Sequence, residues 1–442
     1  MSDLRSQRRL RKLWWVAIVL LALAVLPQVA LYLAWEYSEW RGAQELARLR
    51  QAGAVLNVSE LLPKLKPGEP NAAMVYEQAF AIEPAVVKET ERGPKWDPAA
   101  VGPKLVAKDG EYFARLERAA RLPTCLFIRD WDTDWNPHMP ELAHFRAAGY
   151  ALEAKAEVER RAGRLDEAVA TSITSLRVAD HCTQEPTLVS HLVAVAIQGF
   201  ALRELPRVFS TGDPSPEACR ALYDELDRRR RVEPFVTALR GDRANGLAIF
   251  RAVERSRKGI RLGDAVDPDD ESDRITYSRS PIGRYIWSRD KRSYVDLTTR
   301  GIEAARRPYR EAAEAMRAVD RTETGLRLAP MTAMLTPVYP RTLWIAYRPM
   351  ALAGAAQIAA AAKSYKRTHG KYPASLEELA KDGWALPNDP FADQPYHYRL
   401  ERQGLAVWSV GPDLTDNGAT DYNPKIHHWD QPGYDHVFRC SR

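Results

Sequence analysis

A long apolar segment near the N-terminus constrains this chain more than any other feature of its sequence. No charged residue lies between Leu13 and Trp35. About 20 apolar residues in a helix cross the hydrocarbon core of a bilayer, so the segment predicts a transmembrane helix at residues 13–35. A basic cluster precedes the segment: Arg5, Arg8, Arg9, Arg11 and Lys12. This cluster predicts that residues 1–12 form a cytoplasmic tail and that the rest of the chain is extracytoplasmic.

A cleaved signal peptide is the alternative interpretation of the same segment. Cleavage requires small residues at the −3 and −1 positions of the cut site. A cut after Ala34 places Tyr32 at −3, and a cut after Ala30 places Gln28 there. The apolar run is also longer than the core of a usual signal peptide. We therefore expect an uncleaved signal-anchor in the cytoplasmic membrane, with a single pass and the bulk of the chain in the periplasm.

The remaining composition is that of an ordinary folded protein. At 442 residues, with 45% apolar and 28% charged residues, the chain is long enough for two or three packed domains. The net charge of +6 is spread over arginine-rich segments. Nucleic-acid binding needs a concentrated basic patch, so nucleic acid is not an expected partner. The expected partners are the lipid bilayer, through residues 13–35, and other proteins of the cell envelope.

Two regions follow the apolar segment before the C-terminal part. Residues 36–109 predict an extracytoplasmic linker and helical stalk, because prolines and glycine cluster at 63–70. Residues 110–335 carry apolar residues at helical spacing and predict a helical domain. The chain is therefore expected to be mainly α-helical up to this point.

One antiparallel hairpin is predicted within the helical domain. Only Gly163-Arg164 separates the predicted helices 141–162 and 165–182, and so short a connection brings the two helices side by side. The segment EAKAEVERRAGRLDEAVATS resembles the centre of a tetratricopeptide repeat. No second copy follows at a spacing of about 34 residues, so the segment predicts a hairpin scaffold and not a repeat array. A further long helix is predicted at 294–321.

Four cysteines are distributed without a CxxC pair: Cys125, Cys182, Cys219 and Cys440. Neither a zinc ribbon nor a thioredoxin-like redox motif is therefore predicted. The helical hairpin returns Cys182 to the end near Cys125, which makes a disulfide between these two feasible. Separate buried thiols are the expected state, because unpaired cysteine is among the most buried residue types.

Common catalytic signatures are missing from the sequence, namely GxSxG, HExxH, GxxxxGK[ST] and GxGxxG. His181 and His191 flank Cys182, and both are expected to be core or surface histidines, not part of a catalytic pair.

The segment DWDTDWNPHMPE, residues 130–141, has acidic residues at EF-hand spacing. Trp135 stands where that loop needs glycine, so an acidic loop without a metal is expected.

The C-terminal tail contains a second set of metal-binding residue types: His427, His428, Asp430, Asp435 and His436. Zinc or another transition metal can bind such side chains when they converge. Here they are scattered through a polar segment, so an unstructured tail is the expected state.

Local signals in residues 348–442 agree with one another and predict a small α+β module. An alanine-rich helix at 350–369 ends at Gly370, a residue suited to a left-handed helix cap. Ser375 and Glu378 have the spacing of a capping box at the start of a short helix. Apolar alternation at 395–401 and 405–410 predicts two strands of a hairpin. An acidic loop, PDLTDNGATDYN, follows the second strand.

The order of a long helix, GKYPASLEEL, LPNDPF, PYHY and VWSVGPD resembles the C-terminal region of the type II secretion major pseudopilins. The resemblance implies a small sheet packed on the long helix and a calcium ion in the acidic loop. By the same resemblance the calcium ligands are Asp413, Asp416, Asn417 and Asp421. The apolar N-terminal segment lacks the Gly–Phe junction and early glutamate of that family, which speaks against assembly into a fibre. The whole chain also resembles large membrane-anchored proteins of planctomycete-type bacteria.

These features together predict a mainly α-helical membrane-anchored protein with a small C-terminal α+β module. The expected function is that of a non-enzymatic scaffold that works through protein–protein interaction. An accessory role in a type II secretion or pilus-like system is one alternative. An enzyme with an unrecognised site in the helical domain is the other.

Overall fold

The structure is a computed structural model that describes residues 2–89, 96–131, 139–256, 260–261, 274–323, 329–429 and 431–441. Most of these residues are helical, and a small three-stranded antiparallel sheet lies near the C-terminus. The mainly α fold class with a C-terminal sheet is therefore confirmed.

The helices follow one another along the chain with short connections. In chain order they are α1 (Ser2–Gln51), α2 (Ala72–Phe80), α3 (Ala85–Glu89), α4 (Pro98–Lys108), α5 (Gly110–Ala120), α6 (Glu141–Arg161), α7 (Leu165–Thr183), α8 (Leu188–Thr211), α9 (Pro216–Asp227), α10 (Glu233–Arg255), α11 (Pro281–Ala305), α12 (Tyr309–Glu323), α13 (Pro330–Leu335), α14 (Tyr339–His369) and α15 (Leu376–Lys381). The strands are β1 (Ile260–Arg261), β2 (Arg274–Ile275), β3 (His397–Glu401), β4 (Gly404–Ser409) and β5 (His436–Ser441).

Two helices among the described residues are long and apolar enough to cross a membrane. The first is α1, whose most apolar stretch has no buried residue. The second is α8, with 56% of its most apolar stretch buried inside the protein. Burial accounts for the apolar composition of α8 as a core helix. The apolar part of α1 has the length and composition of a membrane anchor or a signal sequence.

The predicted hairpin of α6 and α7 is confirmed. Gly163 adopts a left-handed conformation with φ of 75°, which lets the chain reverse directly after α6.

The prediction of one continuous helix at 294–321 is wrong, because the structure divides this range between the end of α11 and α12. Pro308 lies at the break. Proline has no backbone N–H and its ring clashes with the preceding turn, so a continuous helix is disfavoured there.

The region assigned to the stalk contributes to the interior of the helical part. Tyr76 of α2 and Leu105 of α4 lie in one hydrophobic cluster with Phe145 of α6 and Ile197 of α8. Further along the chain, Arg243 of α10 donates a hydrogen bond to the Val55 carbonyl oxygen at 3.0 Å. Described residues on both sides of 90–95, such as Tyr76 and Leu105, are thus packed against the helical part.

The C-terminal sheet packs on α14, and α14 packs on the helical part. The strands pair in the antiparallel order β3-β4-β5, with Val407 opposite both Tyr398 and Phe438. One hydrophobic cluster contains Leu205 of α8, Ile358 of α14 and Val407. The helical part and the C-terminal module therefore share a core.

Close packing between α14 and the sheet requires glycine at one position. A Cβ atom at Gly354 would overlap the Tyr396 hydroxyl group. That hydroxyl donates a hydrogen bond to the Ala351 carbonyl oxygen at 2.9 Å. A side chain at Gly354 would therefore push the sheet away from α14.

Most of the local features predicted for the module are present in the structure. Gly370 ends α14 with φ of 77°, and the strands of the predicted hairpin are present as β3 and β4. Ser375 precedes α15 but forms no capping hydrogen bond. Instead, the Glu378 carboxylate accepts hydrogen bonds from the Ala374 N–H group at 2.5 Å and from the Tyr365 hydroxyl at 2.5 Å.

The prediction of an unstructured tail is wrong for its last residues. His436–Ser441 form β5, which pairs along the full length of β4. Val437, Phe438 and Cys440 are buried by this pairing. One edge of β4 pairs with β3 in the hairpin. Its other edge would be unpaired without β5, so the tail is ordered by pairing there.

Candidate functional site

The acidic loop after β4 folds around one carboxylate, that of Asp435. Asp435 directly precedes β5 and is 0% exposed. Its Oδ1 accepts a hydrogen bond from the Asn417 N–H group at 3.1 Å. Its Oδ2 accepts hydrogen bonds from the N–H groups of Ala419 and Thr420 at 2.8 and 3.2 Å. Burial raises the pKa of Asp435, and the three N–H donors partly offset this effect.

The four predicted calcium ligands lie in this loop, where the three aspartates accept hydrogen bonds from protein donors and the Asn417 side chain donates. Asp413 Oδ2 accepts hydrogen bonds from the Gly433 N–H group at 2.9 Å and from the Asn417 side chain at 3.2 Å. Asp416 Oδ1 accepts hydrogen bonds from the Trp408 indole and the Gly418 N–H group, both at 2.9 Å. Two of the predicted ligands, Asp413 and Asn417, are thus bonded to each other.

Asp421 lies further along the loop. Its Oδ1 accepts a long hydrogen bond of 3.4 Å from the Val437 N–H group. Among the described residues, no group of three or more histidine, cysteine, aspartate or glutamate side chains is placed to hold a metal ion. A calcium ion in this loop stays a prediction, and binding would require carboxylates such as that of Asp413 to reorient.

The set of tail residues is dispersed where the structure describes it. His436 is buried at the start of β5, and its ring centroid lies 5.4 Å from that of Phe391. His427 stacks on Tyr434 with ring centroids 5.4 Å apart. Asp430 lies outside the described residues. The described members of this set therefore serve packing of the module.

A groove opens beside the acidic loop. Its volume is about 580 Å³, within the range of pockets that bind ligands. It is formed where α12, the start of α14, the acidic loop and the segment before β5 meet. The lining residues are Tyr309, Arg317, Asp320, Val338, Pro340, Pro412, Asp413, Trp429, Gln431 and Pro432.

Hydrogen bonds hold the aromatic wall of this groove in place. The Trp429 carbonyl oxygen accepts a hydrogen bond from the Tyr434 hydroxyl at 2.8 Å. The same hydroxyl accepts a hydrogen bond from the Trp344 indole N–H group at 3.1 Å. Tyr434 thereby links the segment that carries Trp429 to α14, so this side of the groove is formed by a fixed backbone.

No feature of the sequence points directly to this groove. Tyr309 and Trp429 lie on the same groove although they are far apart in the chain. The sequence WDQPG contains tryptophan, glutamine and proline close together. That this segment lies near α12 depends on how the C-terminal module packs.

The two histidines that flank Cys182 have different environments. His181 lies between the Tyr76 hydroxyl, 2.8 Å from Nδ1, and the Leu122 carbonyl oxygen, 3.0 Å from Nε2. His191 is 8% exposed, and neither of its ring nitrogens has a hydrogen-bond partner among the described residues. Burial lowers the pKa of both imidazoles to about 4. Both are therefore uncharged core histidines at neutral pH.

His191 lines a small pocket of about 50 Å³. Asp180, Arg229, Phe235 and Met350 line the same pocket. Arg229 is neutralised by Glu225 and Asp180. The pocket is large enough for ordered water, which would satisfy the imidazole nitrogens.

All four cysteines are buried free thiols. The expectation of separate buried thiols is confirmed, and the alternative disulfide between Cys125 and Cys182 is not formed. Burial raises the pKa of each thiol. Since the thiolate is the reactive form, these cysteines are unsuited to nucleophilic chemistry.

The EF-hand-like segment is described only in part, because residues 132–138 lie outside the described residues. Trp131 is buried against Val58 and Ala244. The Arg129 guanidinium lies over the Trp131 ring at 5.2 Å. This end of the segment is thus part of the packed interior.

Comparisons of the chain with protein-family models, curated proteins and solved structures found no match. The function therefore has to be inferred from the geometry of the molecule.

Proposed function

We propose that this chain is a membrane-anchored extracytoplasmic scaffold protein that binds another envelope protein. The groove beside the acidic loop is the proposed binding site. Residues 1–12 lie in the cytoplasm in this proposal, residues 13–35 cross the cytoplasmic membrane, and the remaining chain is extracytoplasmic. The positive charges before the apolar segment support this orientation.

Exposed apolar side chains on α1 support the anchor. Leu13 to Leu33 include many large apolar residues that are exposed, with Trp14 and Leu23 as examples. An exposed apolar surface of this extent is unfavourable in water and indicates contact with lipid or another protein. A lipid bilayer covers such a helix on all sides.

The groove is the observation that carries the proposed binding function. Its walls combine the rings of Tyr309 and Trp429 with Pro340, Pro412 and Pro432. Aromatic and proline surfaces suit an extended, proline-rich segment, which is already ordered and so loses little conformational entropy when it binds. Charged and amide groups at Arg317, Asp320, Asp413 and Gln431 can bind the polar backbone of such a segment.

Site-specific photo-cross-linking in native membranes tests this proposal. A photoreactive amino acid at Gln431 of the full chain is expected to give a protein adduct of defined mass. The same amino acid at Lys104, an exposed residue of α4, is the matched control and is expected not to give that adduct. The substitution Trp429→Ala is expected to reduce the adduct from position 431. Equal adducts from both positions, or no adduct from position 431, would contradict the proposed site.

An accessory role in a secretion or pilus-like system is the second candidate. It is favoured by the order of elements in the module, where α14 is followed by α15 and a three-stranded antiparallel sheet packed on α14. This order is what the resemblance to pseudopilins implies. Identification of the cross-linked protein by mass spectrometry separates the candidates, because only the second predicts a component of a secretion system.

Calcium binding to the acidic loop belongs to the same proposal. The resemblance to pseudopilins supports Asp413, Asp416, Asn417 and Asp421 as ligands, and carboxylate and amide oxygens are the donors that Ca²⁺ prefers. A bound ion would stiffen the wall of the groove that Asp413 contributes.

A further inference from the structure

Helix α11 runs parallel to α1 and begins beside the end of the apolar segment. The Arg284 guanidinium lies over the Trp35 ring at 5.0 Å. One turn further along both helices, the hydroxyl groups of Ser288 and Ser38 are 2.5 Å apart. Residue numbers rise together in the two contacts, so the helices have the same direction. The first turn of α11 therefore points towards the apolar end of α1.

The first turn of α11 reaches the depth of the apolar segment. A helix rises about 1.5 Å per residue, so Ile282 lies about 3 Å further in this direction than Arg284. Since Arg284 is level with Trp35, Ile282 is level with about Leu33, inside the uncharged run. The Ile282 side chain is 53% exposed. An exposed apolar side chain thus stands beside the end of the proposed transmembrane helix.

Two arginines flank this isoleucine. Arg279 is exposed just before α11, where its guanidinium lies 6.0 Å from the Tyr277 ring centroid and makes long contacts of 3.3 and 3.5 Å to backbone carbonyl oxygens. Arg284 forms no ion pair within the part of the chain that the structure describes. Guanidinium groups bind phosphate through several N–H donors, and arginine and tryptophan are typical of the level of lipid headgroups.

We propose that residues 279–284 form a second membrane contact, in which Ile282 enters the boundary between headgroups and acyl chains. Arg279 and Arg284 bind the phosphate groups of phospholipids in the outer leaflet. This inference rests on the proposal that α1 crosses the membrane.

The contact has a consequence for the orientation of the protein. A single helix through a bilayer leaves the attached body free to tilt and to rotate about the helix axis. A second contact beside the first removes part of this freedom. The side of the body that carries the start of α11 would then always lie on the membrane.

Depth-dependent fluorescence quenching of the full chain in liposomes of phosphatidylcholine and anionic phosphatidylglycerol tests the inference. Ile282→Cys provides a labelling site for an environment-sensitive fluorophore, and the four native cysteines are buried. Leu20→Cys reports on the transmembrane helix, and Lys104→Cys reports on the distant surface of α4. Nitroxide lipids labelled near the headgroup are expected to quench the probe at position 282 strongly and the probe at 104 weakly. Lipids labelled deep in the acyl chain are expected to quench the probe at position 20.

The outcomes separate this inference from the proposed anchor. Quenching at position 20 with equal, weak quenching at 282 and 104 would overturn the second contact and leave the anchor intact. Weak quenching at all positions would overturn both. In the Ile282→Cys protein, the added substitutions Arg279→Gln and Arg284→Gln are expected to weaken quenching at 282 by about twofold or more. Unchanged quenching would overturn the role of the arginines.

Discussion

Lys363 Nζ lies 2.7 Å from Asp213 Oδ1, and this ion pair joins α14 to the connection between α8 and α9. Lys363 is 1% exposed and also donates a hydrogen bond to the Gly212 carbonyl oxygen at 3.0 Å. Lys366, one turn later on α14, approaches Asp213 Oδ2 at 2.8 Å. The C-terminal module is therefore joined to the helical part by buried charge as well as by apolar packing.

Removing the buried ammonium group is expected to destabilise the whole chain. Lys363→Met leaves Asp213 with one cation and the Gly212 carbonyl group without its donor, at a cost of about 2–4 kcal/mol. Lys366→Met is the matched control, since Lys366 is more exposed and its loss should cost about 1 kcal/mol or less. Urea denaturation of the full chain in detergent micelles measures both. Equal losses of stability would contradict a special role for the buried pair.

The effect of Lys363→Met is expected to depend on pH. Burial raises the pKa of Asp213, but the hydrogen bonds from Lys363 and Lys366 outweigh it and hold the pKa below 3.8. A lowered pKa in the folded state stabilises the protein above the unfolded pKa, and this stabilisation is lost as the pH falls. The difference between wild type and Lys363→Met should therefore be full at pH 7 and shrink as the pH falls below 3.8. Denaturation curves at a series of pH values measure it, and a constant difference would contradict this explanation.

Substitution by leucine is expected to affect stability differently at the two buried histidines. His191→Leu removes an imidazole whose nitrogens have no hydrogen-bond partner among the described residues, and it should leave stability at pH 7 unchanged or raised. His181→Leu leaves the Tyr76 hydroxyl and the Leu122 carbonyl group without their partner and should cost about 1–3 kcal/mol. Thermal or urea denaturation of the two variants makes the comparison. Similar costs for both would contradict the assigned environments.

His191 should also contribute to acid sensitivity. Its pKa is about 4 in the folded protein, below the ordinary value of 6.5, so the folded state disfavours protonation. The contribution to stability is complete above pH 6.5 and is lost as the pH falls towards 4. His191→Leu is therefore expected to lose less stability than wild type between these pH values. An identical pH dependence would show that other groups control the acid response.

Calcium should raise the stability of the full chain if the acidic loop binds it. A ligand at 100 times its dissociation constant stabilises a protein by about 2.7 kcal/mol. Differential scanning fluorimetry with Ca²⁺, with Mg²⁺ and with a chelator measures the change in Tm. Asp413→Asn is expected to abolish the change, and Glu77→Gln, at an exposed position of α2, should leave it intact. No shift of Tm with Ca²⁺ would reject the site.

Asp435 is expected to matter more for the loop than any of the predicted calcium ligands. Asp435→Ala leaves the N–H groups of Asn417, Ala419 and Thr420 without their acceptor and should cost about 2–4 kcal/mol. These three amides should then exchange hydrogen faster in a hydrogen-exchange experiment. Asp416→Ala is the control and should affect the Gly418 amide instead. Slow exchange of the three amides in Asp435→Ala would contradict the role assigned to Asp435.

Local sequence signals predicted the elements whose stability depends on neighbouring residues. The turn at Gly163-Arg164, the cap at Gly370 and the hairpin before the acidic loop depend on backbone preferences within a few residues. The local backbone preference of Pro308 also disfavours a continuous helix, but the apolar residues around it have helical spacing and were predicted as one helix. Signals of this kind therefore predict where an element ends better than what it packs against.

Features that depend on distant partners were missed. β5 forms because β4 has a free edge, and Asp435 is an acceptor only because the acidic loop returns to it. The groove needs Tyr309 and Trp429 together, which no periodicity within either segment reveals. The sequence therefore predicted the acidic loop but not that the Asp435 carboxylate lies at its centre, and the calcium ion stays a prediction.

The parallel packing of α1 and α11 also determines how mechanical load would pass through the molecule. Tyr309 and Arg317 in the groove belong to α12, α12 packs on α11, and α11 lies along α1. A pull on a bound partner would then be carried by packed helices. In a membrane, such tension would arrive along the axis of a single helix, so the protein would act as a stiff link and not as a flexible tether.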